Sequence, residues 1–260
     1  MSFELNIENK TSEAIKLFWE TKQNKGEESQ TQGGSRGENL SGKHLDGFIH
    51  LLTEVLVAAG ISPNEIFYGA KMYDSTLAGY FRATKNWDFI VVKKDRNGAN
   101  HLLVAIELKS QVGSYGNNHN NRIEESLGSS VDLFHGTQEG GRYFSLRLPW
   151  VGYLLVLCDE DDSAVRIAAE KFLPLMQQHF SILDEFKDST YAQRYAIFCR
   201  KAIRHRYYNS ACLLLSEKDR GKKDGSYREL SADLGIHQFI RSLAGHIQQE
   251  LFIMNQMELL

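Results

Sequence analysis

Apolar positions along the chain form two kinds of pattern: helical stripes and short dense runs. From Asn9 to Gln23, Ala14, Ile15, Phe18 and Trp19 recur at helical spacing and predict a first helix. Lys43–Ala59 carries a fuller stripe of Leu45, Phe48, Ile49, Leu52, Val55 and Leu56, and Gly60 stops it. Between them, residues 24–39 are rich in Gln, Glu, Gly and Ser, and offer nothing to a core. That stretch reads as a flexible loop, either a plain linker or a segment that orders on DNA with Arg36 against phosphate.

The dense runs predict strands. Ile66–Tyr73 is one candidate. Trp87–Lys94 is rich in Ile and Val, and His101–Lys109 is apolar until its end. Asn97-Gly98 lies between these two, and Asn-Gly flanked by such runs predicts a β-hairpin in the middle of a sheet. Val151–Cys158 and Ser210–Ser216 read as fully buried strands. Helices are expected over Arg122–Phe134, Ser163–Phe172, Ser189–Tyr208 and Gly235–Glu250. The expected fold class is α/β, with a mixed central β-sheet flanked by helices on both faces. Residues 1–260 read as one domain, with 190–260 as its helical, basic C-terminal part.

Composition changes this picture little. A hydrophobic content of 42 % suits a packed core. No apolar run approaches the ~18 residues of a membrane span, and Met1-Ser-Phe-Glu-Leu-Asn lacks a signal peptide's basic and apolar regions. An intracellular, cytoplasmic protein is expected. Cys158, Cys199 and Cys212 are widely spaced and read as buried free thiols. None of the His residues has metal-ligand spacing, and no motif calls for an organic cofactor. The net charge of −3 neither indicates nor excludes a nucleic-acid partner, so charge has to be read by segment.

The candidate chemistry sits on the hairpin. Glu107 and Lys109 stand two apart at the end of an apolar strand, so they share a face. Ions at the margin of a core are costly unless something uses them. Asp88 opens the preceding strand, and a turn at Asn97-Gly98 brings it beside Glu107. Two carboxylates supply the hard oxygens that Mg²⁺ prefers. An adjacent ammonium suits phosphodiester hydrolysis, where Lys109 orients or deprotonates the attacking water and stabilises developing charge. A structural ion cluster at a strand end would give the same pattern.

Further candidates surround this set. Gln111 lies two residues past Lys109 and either supports the metal site, touches DNA backbone, or is a plain strand-end polar residue. Asp46 and Glu54 sit on the Lys43–Ala59 helix as alternatives for an extra metal carboxylate, with Glu54 preferred over a merely solvated position. Ser114–Arg122 is dense in Asn and Gly. Its Asn117, Asn118, Asn120, Asn121 and Arg122 have the chemistry to read base edges, adenine for Asn and guanine for Arg. Arg82 and Lys85 precede Asp88 and suit flanking phosphates. The segment Arg194–Arg228 is basic, and its Arg200, Arg204, Lys222 and Lys223 suit backbone contacts or a solvated surface.

Several blocks of this sequence resemble XhoI-type restriction endonucleases, within the wider PD-(D/E)XK nuclease group. They are Gly79-Tyr-Phe-Arg-Ala-Thr-Lys-Asn-Trp-Asp88, Ile106-Glu-Leu-Lys-Ser-Gln-Val-Gly113 and Gly116-Asn-Asn-His-Asn-Asn-Arg-Ile-Glu-Glu125. Shorter matches are Gly42–Phe48, Pro149–Tyr153, Tyr191–Tyr195 and Tyr227–Glu229. The resemblance implies a prokaryotic homodimer that cuts double-stranded DNA at 5′-CTCGAG-3′ after the first C, using Mg²⁺. It places Asp88, Glu107 and Lys109 at the catalytic positions. Trp87 stands where the broad group has Pro. The stretch from Val112 to Gly116 is one residue shorter than the family pattern, and His119 replaces an aromatic. The same motif would serve a repair or mobile-element nuclease, and a non-catalytic DNA-binding protein is the further alternative.

Overall fold

The computed structural model describes residues 6–31, 43–69, 75–139, 148–160 and 182–257. Its centre is a six-stranded sheet. In chain order the strands are β1 (Ile66–Tyr68), β4 (Phe89–Lys94), β5 (Asn100–Gln111), β6 (Trp150–Cys158), β7 (Ser210–Ser216) and β8 (Arg228–Glu229), and they neighbour one another in that order. A separate two-stranded sheet pairs β2 (Thr76–Ala78) with β3 (Thr84–Asn86). The β1–β4, β4–β5 and β7–β8 pairs are antiparallel, while β5–β6 and β6–β7 are parallel. The helices are α1 (Ile7–Thr31), α2 (Asp46–Ala58), α3 (Tyr115–Gln138), α4 (Tyr191–Arg204), α5 (Lys218–Asp224) and α6 (Ile236–Met257).

Strand alternation divides the core in two. Phe89, Val91, Ile106, Leu108, Leu154, Val156 and Leu214 face α1, α2 and α6. Ile90, Ala105, Tyr153, Leu155, Leu157, Leu213 and Leu215 face α3 and α4. Every residue of β6 and β7 is buried, as parallel strands covered on both faces require. The mixed α/β sheet flanked by helices is therefore as expected. The predicted hairpin is present, with Gly98 at φ 79° in its turn. All three cysteines are buried free thiols. No helix among the described residues is long and apolar enough to cross a membrane.

Three segments differ from expectation. Helix α1 runs on to Thr31, through residues 24–31 that composition assigned to a flexible loop. Helix α3 begins at Tyr115 rather than Arg122, so the Asn-rich block is helical. Its buried positions are Tyr115, His119, Ser126, Ser129, Ser130, Asp132, Leu133 and Gly136, a face written mostly in polar and small residues. Within the basic segment Arg194–Arg228, Lys218–Asp224 forms the short helix α5, where no helix was expected. Arg36 and the expected helix at Ser163–Phe172 lie outside the described residues.

Close approach of α1 and α2 depends on Gly47. A Cβ added there would lie 2.6 Å from Ala14 Cα, backbone that cannot yield cheaply. Gly47→Val should therefore destabilise the fold by about 1–3 kcal/mol, read as a lower urea midpoint. An unchanged midpoint would mean that the two helices do not pack this tightly.

Candidate active site

The site forms where one strand outruns its neighbour. Strand β4 starts at Phe89, opposite Ile106, but β5 continues to Gln111. Beyond Ile106 the β5 backbone has no β4 partner. Asp88 fills the gap, its Oδ2 accepting the Leu108 N–H at 2.8 Å. Asp88 thus caps the open side of β5 next to Glu107. Asp88 Oδ1 has no hydrogen-bond partner among the described residues.

Glu107 projects toward the α3 and α4 face with its side chain only 1 % exposed. Its Oε1 receives two ammoniums, Lys109 Nζ at 3.0 Å and Lys85 Nζ at 3.3 Å. Its Oε2 accepts the Tyr208 hydroxyl at 3.0 Å. That hydroxyl also lies 2.8 Å from the Ser126 carbonyl, and its single proton serves one acceptor at a time. Spacing singled out Asp88, Glu107 and Lys109, and the fold brings all three together. Tyr208 was missed, since nothing local marks a tyrosine 101 residues from its partner.

Burial and charge compete here. Burial raises the Asp88 carboxyl above its ordinary range, partly offset by Lys109 and the Leu108 amide. Burial would also raise Glu107, but Lys109 and Lys85 outweigh it and hold that carboxyl low. Burial alone would lower Lys109, yet Glu107 and Asp88 prevail and keep it a firm ammonium. Two carboxylates thus face two ammoniums in a largely dry site.

A small hairpin delivers half of this set. Leu77 of β2 pairs with Lys85 of β3, and the chain then enters Trp87 and Asp88. Trp87 is buried, its N–H donates to the Ser75 carbonyl at 3.0 Å, and the Lys85 ammonium lies 5.6 Å from its ring centre. Trp87 is thus the anchor that sets Asp88. The hairpin tip is tied to α3 by Asp132, whose Oδ1 accepts the Tyr80 and Phe81 amides at 2.9 and 2.6 Å. Arg82 Nε donates to Asp132 Oδ2 at 3.2 Å, so its guanidinium is engaged in this clamp.

The remaining candidates scatter. Gln111 is buried, with its Oε1 taking the Tyr195 hydroxyl, so it ties β5 to α4. Asn118, Asn120 and Asn121 are exposed on the first turns of α3. Asn117 is on those turns too, and Arg122 pairs with Glu125 at 3.1 Å. His119 is buried between Tyr191 and Tyr195, at 5.4 and 4.5 Å between ring centres, so it packs as the aromatic it replaces would.

Glu54 does not join the site. It pairs with Lys10 of α1 at 2.5 Å, and α2 packs on the sheet face opposite Glu107. The start of α2 lies nearer, since His44 Nε2 contacts Ser110 Oγ at 2.9 Å. Asp46 is therefore at the near end of the helix, and Glu54 is about 12 Å further along at ~1.5 Å per residue.

The basic segment is not one stripe. Arg200 forks onto Asp233, at 2.8 and 3.1 Å, and holds that carboxyl down to about 2. Arg204 is exposed on α4, on the Glu107 face. Lys222 and Lys223 are exposed on α5, whose Gly221 packs against Trp19 on the other face.

The donor set fits a hard divalent cation. Asp88 and Glu107 offer carboxylate oxygens, and Mg²⁺ commonly takes one or two carboxylates with water completing its shell. Among the described residues no cluster of three or more His, Cys, Asp or Glu is placed to hold a metal.

The model of restriction endonuclease XhoI matches residues 22–229. The type II restriction enzyme BstVI of Geobacillus stearothermophilus is 45 % identical over 218 residues, covering 84 % of this chain and 92 % of that protein. The type II restriction enzyme XhoI of Xanthomonas vasicola is 34 % identical over 194 residues, covering 73 % and 72 %. AbrI of Azospirillum brasilense, also a type II restriction enzyme, is 38 % identical over 174 residues, covering 65 % and 74 %. No solved structure matches. With 208 of its 260 residues inside the family model and these relatives alongside, the chain belongs to the XhoI family of type II restriction endonucleases.

Proposed function

We propose that the protein hydrolyses double-stranded DNA at 5′-CTCGAG-3′, after the first C, with Asp88, Glu107 and Lys109 as the catalytic set and Mg²⁺ as cofactor. The observation that carries the catalytic reading is the convergence of these three side chains beside the open edge of β5. The base sequence rests on the family resemblance. A prokaryotic cytoplasm, where such an enzyme meets DNA, is the setting that goes with it.

Asp88 and Glu107 would hold the Mg²⁺. When bound, the ion offsets the charge of the scissile phosphate and makes a bound water more acidic. Lys109 is kept protonated by its two carboxylate neighbours. Its task is then to orient the attacking water through N–H and to stabilise charge on phosphorus oxygens, rather than to take the proton. Tyr208 holds Glu107 Oε2 and so fixes which oxygens face the ion. The exposed Asn residues at the start of α3, with Arg122, have the donor and acceptor chemistry to read base edges. Arg204, Lys222 and Lys223 are suited to the phosphate backbone. A palindromic site is matched by a two-fold pair of chains, one active site per strand.

Digestion of a plasmid of known sequence with Mg²⁺ should give discrete fragments ending at CTCGAG. A smear, or fragments ending elsewhere, sinks the site assignment. Lys109→Ala and Asp88→Ala should each lower the cleavage rate by roughly 100-fold or more while DNA binding persists. Retained cleavage in both would remove the catalytic set. Tyr208→Phe should lower kcat about 10-fold with KM little changed, and cost about 1–2 kcal/mol of stability. A wild-type kcat in that variant would make the tyrosine a packing residue only. Light scattering should give the mass of two chains, and a monomer both free and on DNA would contradict the two-fold arrangement.

A further inference from the structure

Lys85 has a position that phosphate contact alone does not explain. Its ammonium is 3.3 Å from Glu107 Oε1, the same oxygen that Lys109 approaches at 3.0 Å. Its side chain is only 18 % exposed, so most of its hydration is already lost. Lys109 reaches Glu107 from two residues along its own strand. Lys85 arrives from a different element, β3, whose tip is clamped to α3 through Asp132. The fold therefore spends a separate hairpin on bringing a second ammonium to one carboxylate oxygen.

Charge balance gives the reason. Asp88, Glu107, Lys109 and Lys85 stand together as two acidic and two basic side chains, whose ordinary charges sum to zero. A divalent cation added to this buried site leaves two positive charges uncompensated, and such an excess is costly away from water. One strand phosphate cancels one of them. The rest of the strain is relieved when an ammonium leaves the carboxylate for a phosphate oxygen. Lys109 is confined to β5 beside the reaction. Lys85 is as little exposed as Lys109, but it stands on the separate β2–β3 hairpin rather than on a central strand, and its four-carbon stem can swing while its backbone stays in the hairpin.

We propose that Lys85 is an exchangeable counter-ion. In the cation-free protein it neutralises Glu107 and occupies Oε1. When DNA and the divalent cation enter together, its ammonium moves from Glu107 to a phosphate next to the scissile one, and Glu107 Oε1 keeps one ammonium, Lys109, in place of two. Cation and DNA binding are then coupled through one side chain: each makes room for, or is compensated by, the other. This deepens the catalytic reading above and rests on it.

The test uses Lys85→Met and measures two equilibria that require no cleavage. Calorimetric titration of the DNA-free protein with Ca²⁺ should show binding about threefold or more tighter in the variant, because the competing charge is gone. Binding of duplex DNA with Ca²⁺ present should weaken, and the slope of log K against log salt should fall by about 1, the signature of one lost phosphate contact. Unchanged Ca²⁺ affinity or an unchanged salt slope overturns the proposal. Should Lys85→Met fail to fold, Lys85→Arg serves. Its fork stays on Glu107 more firmly, so Ca²⁺ affinity should fall below wild type, and equal or tighter Ca²⁺ binding overturns the exchange. Failure of the parent reading looks different: wild-type protein then neither binds Ca²⁺ nor cuts duplex DNA with Mg²⁺, whatever stands at position 85.

Discussion

The hydrogen bond from the Leu108 amide to Asp88 Oδ2 is the constraint on which the site depends. A strand that continues past its neighbour exposes backbone donors, and an unmet buried donor costs about 1–3 kcal/mol. The β5 strand does this from Glu107 onward, where β4 has not yet begun. A carboxylate at the first residue before β4 is well placed to accept that amide. Once there, it lies beside Glu107, because the antiparallel register sets Phe89 against Ile106. The candidate catalytic aspartate is thus also the terminator of a sheet edge. Burial of both carboxylates is tolerated because Lys109 and Lys85 sit against them. Sheet register, edge capping and charge compensation are one arrangement described three ways.

Much of the architecture was legible because aliphatic residues wrote it. The β4–β5 hairpin announced itself through two Ile/Val/Leu runs around Asn97-Gly98, and β7 was found with the observed boundaries, Ser210–Ser216. The pairing of Glu107 with Lys109 follows from strand period alone. The start of α3 was not legible, since Asn and Gly are poor helix formers and its buried face is Tyr115, His119, Ser126 and Ser130. Periodicity counted on apolar residues passes over such a face. The position of Glu54 was not legible for a related reason. The stripe on α2 tells which side is buried, but not which side of the sheet receives it or which end lies near the site.

Partners set by tertiary structure were the other gap. Arg200 reads as a DNA contact by composition, yet Asp233 and Ser231 take its guanidinium. Gln111 shares a face with Glu107 and Lys109 as strand period requires, but Tyr195 covers it. Tyr208 had no local signal at all, being brought to Glu107 by the turn after α4. In each case the partner was unknowable from spacing.

The continuity of α3 has a mechanical consequence. Its exposed Asn residues stand at one end, and Asp132, which grips the hairpin carrying Lys85 and Asp88, stands near the other. Roughly 21 Å of unbroken helix joins Asn118 to Asp132 at ~1.5 Å per residue. A helix resists stretching and bending over that length, so the two ends move as one part. A displacement of the Asn-bearing end is therefore delivered to the clamp on the hairpin that carries Lys85 and leads into Asp88, by a rod rather than by a chain of side chains.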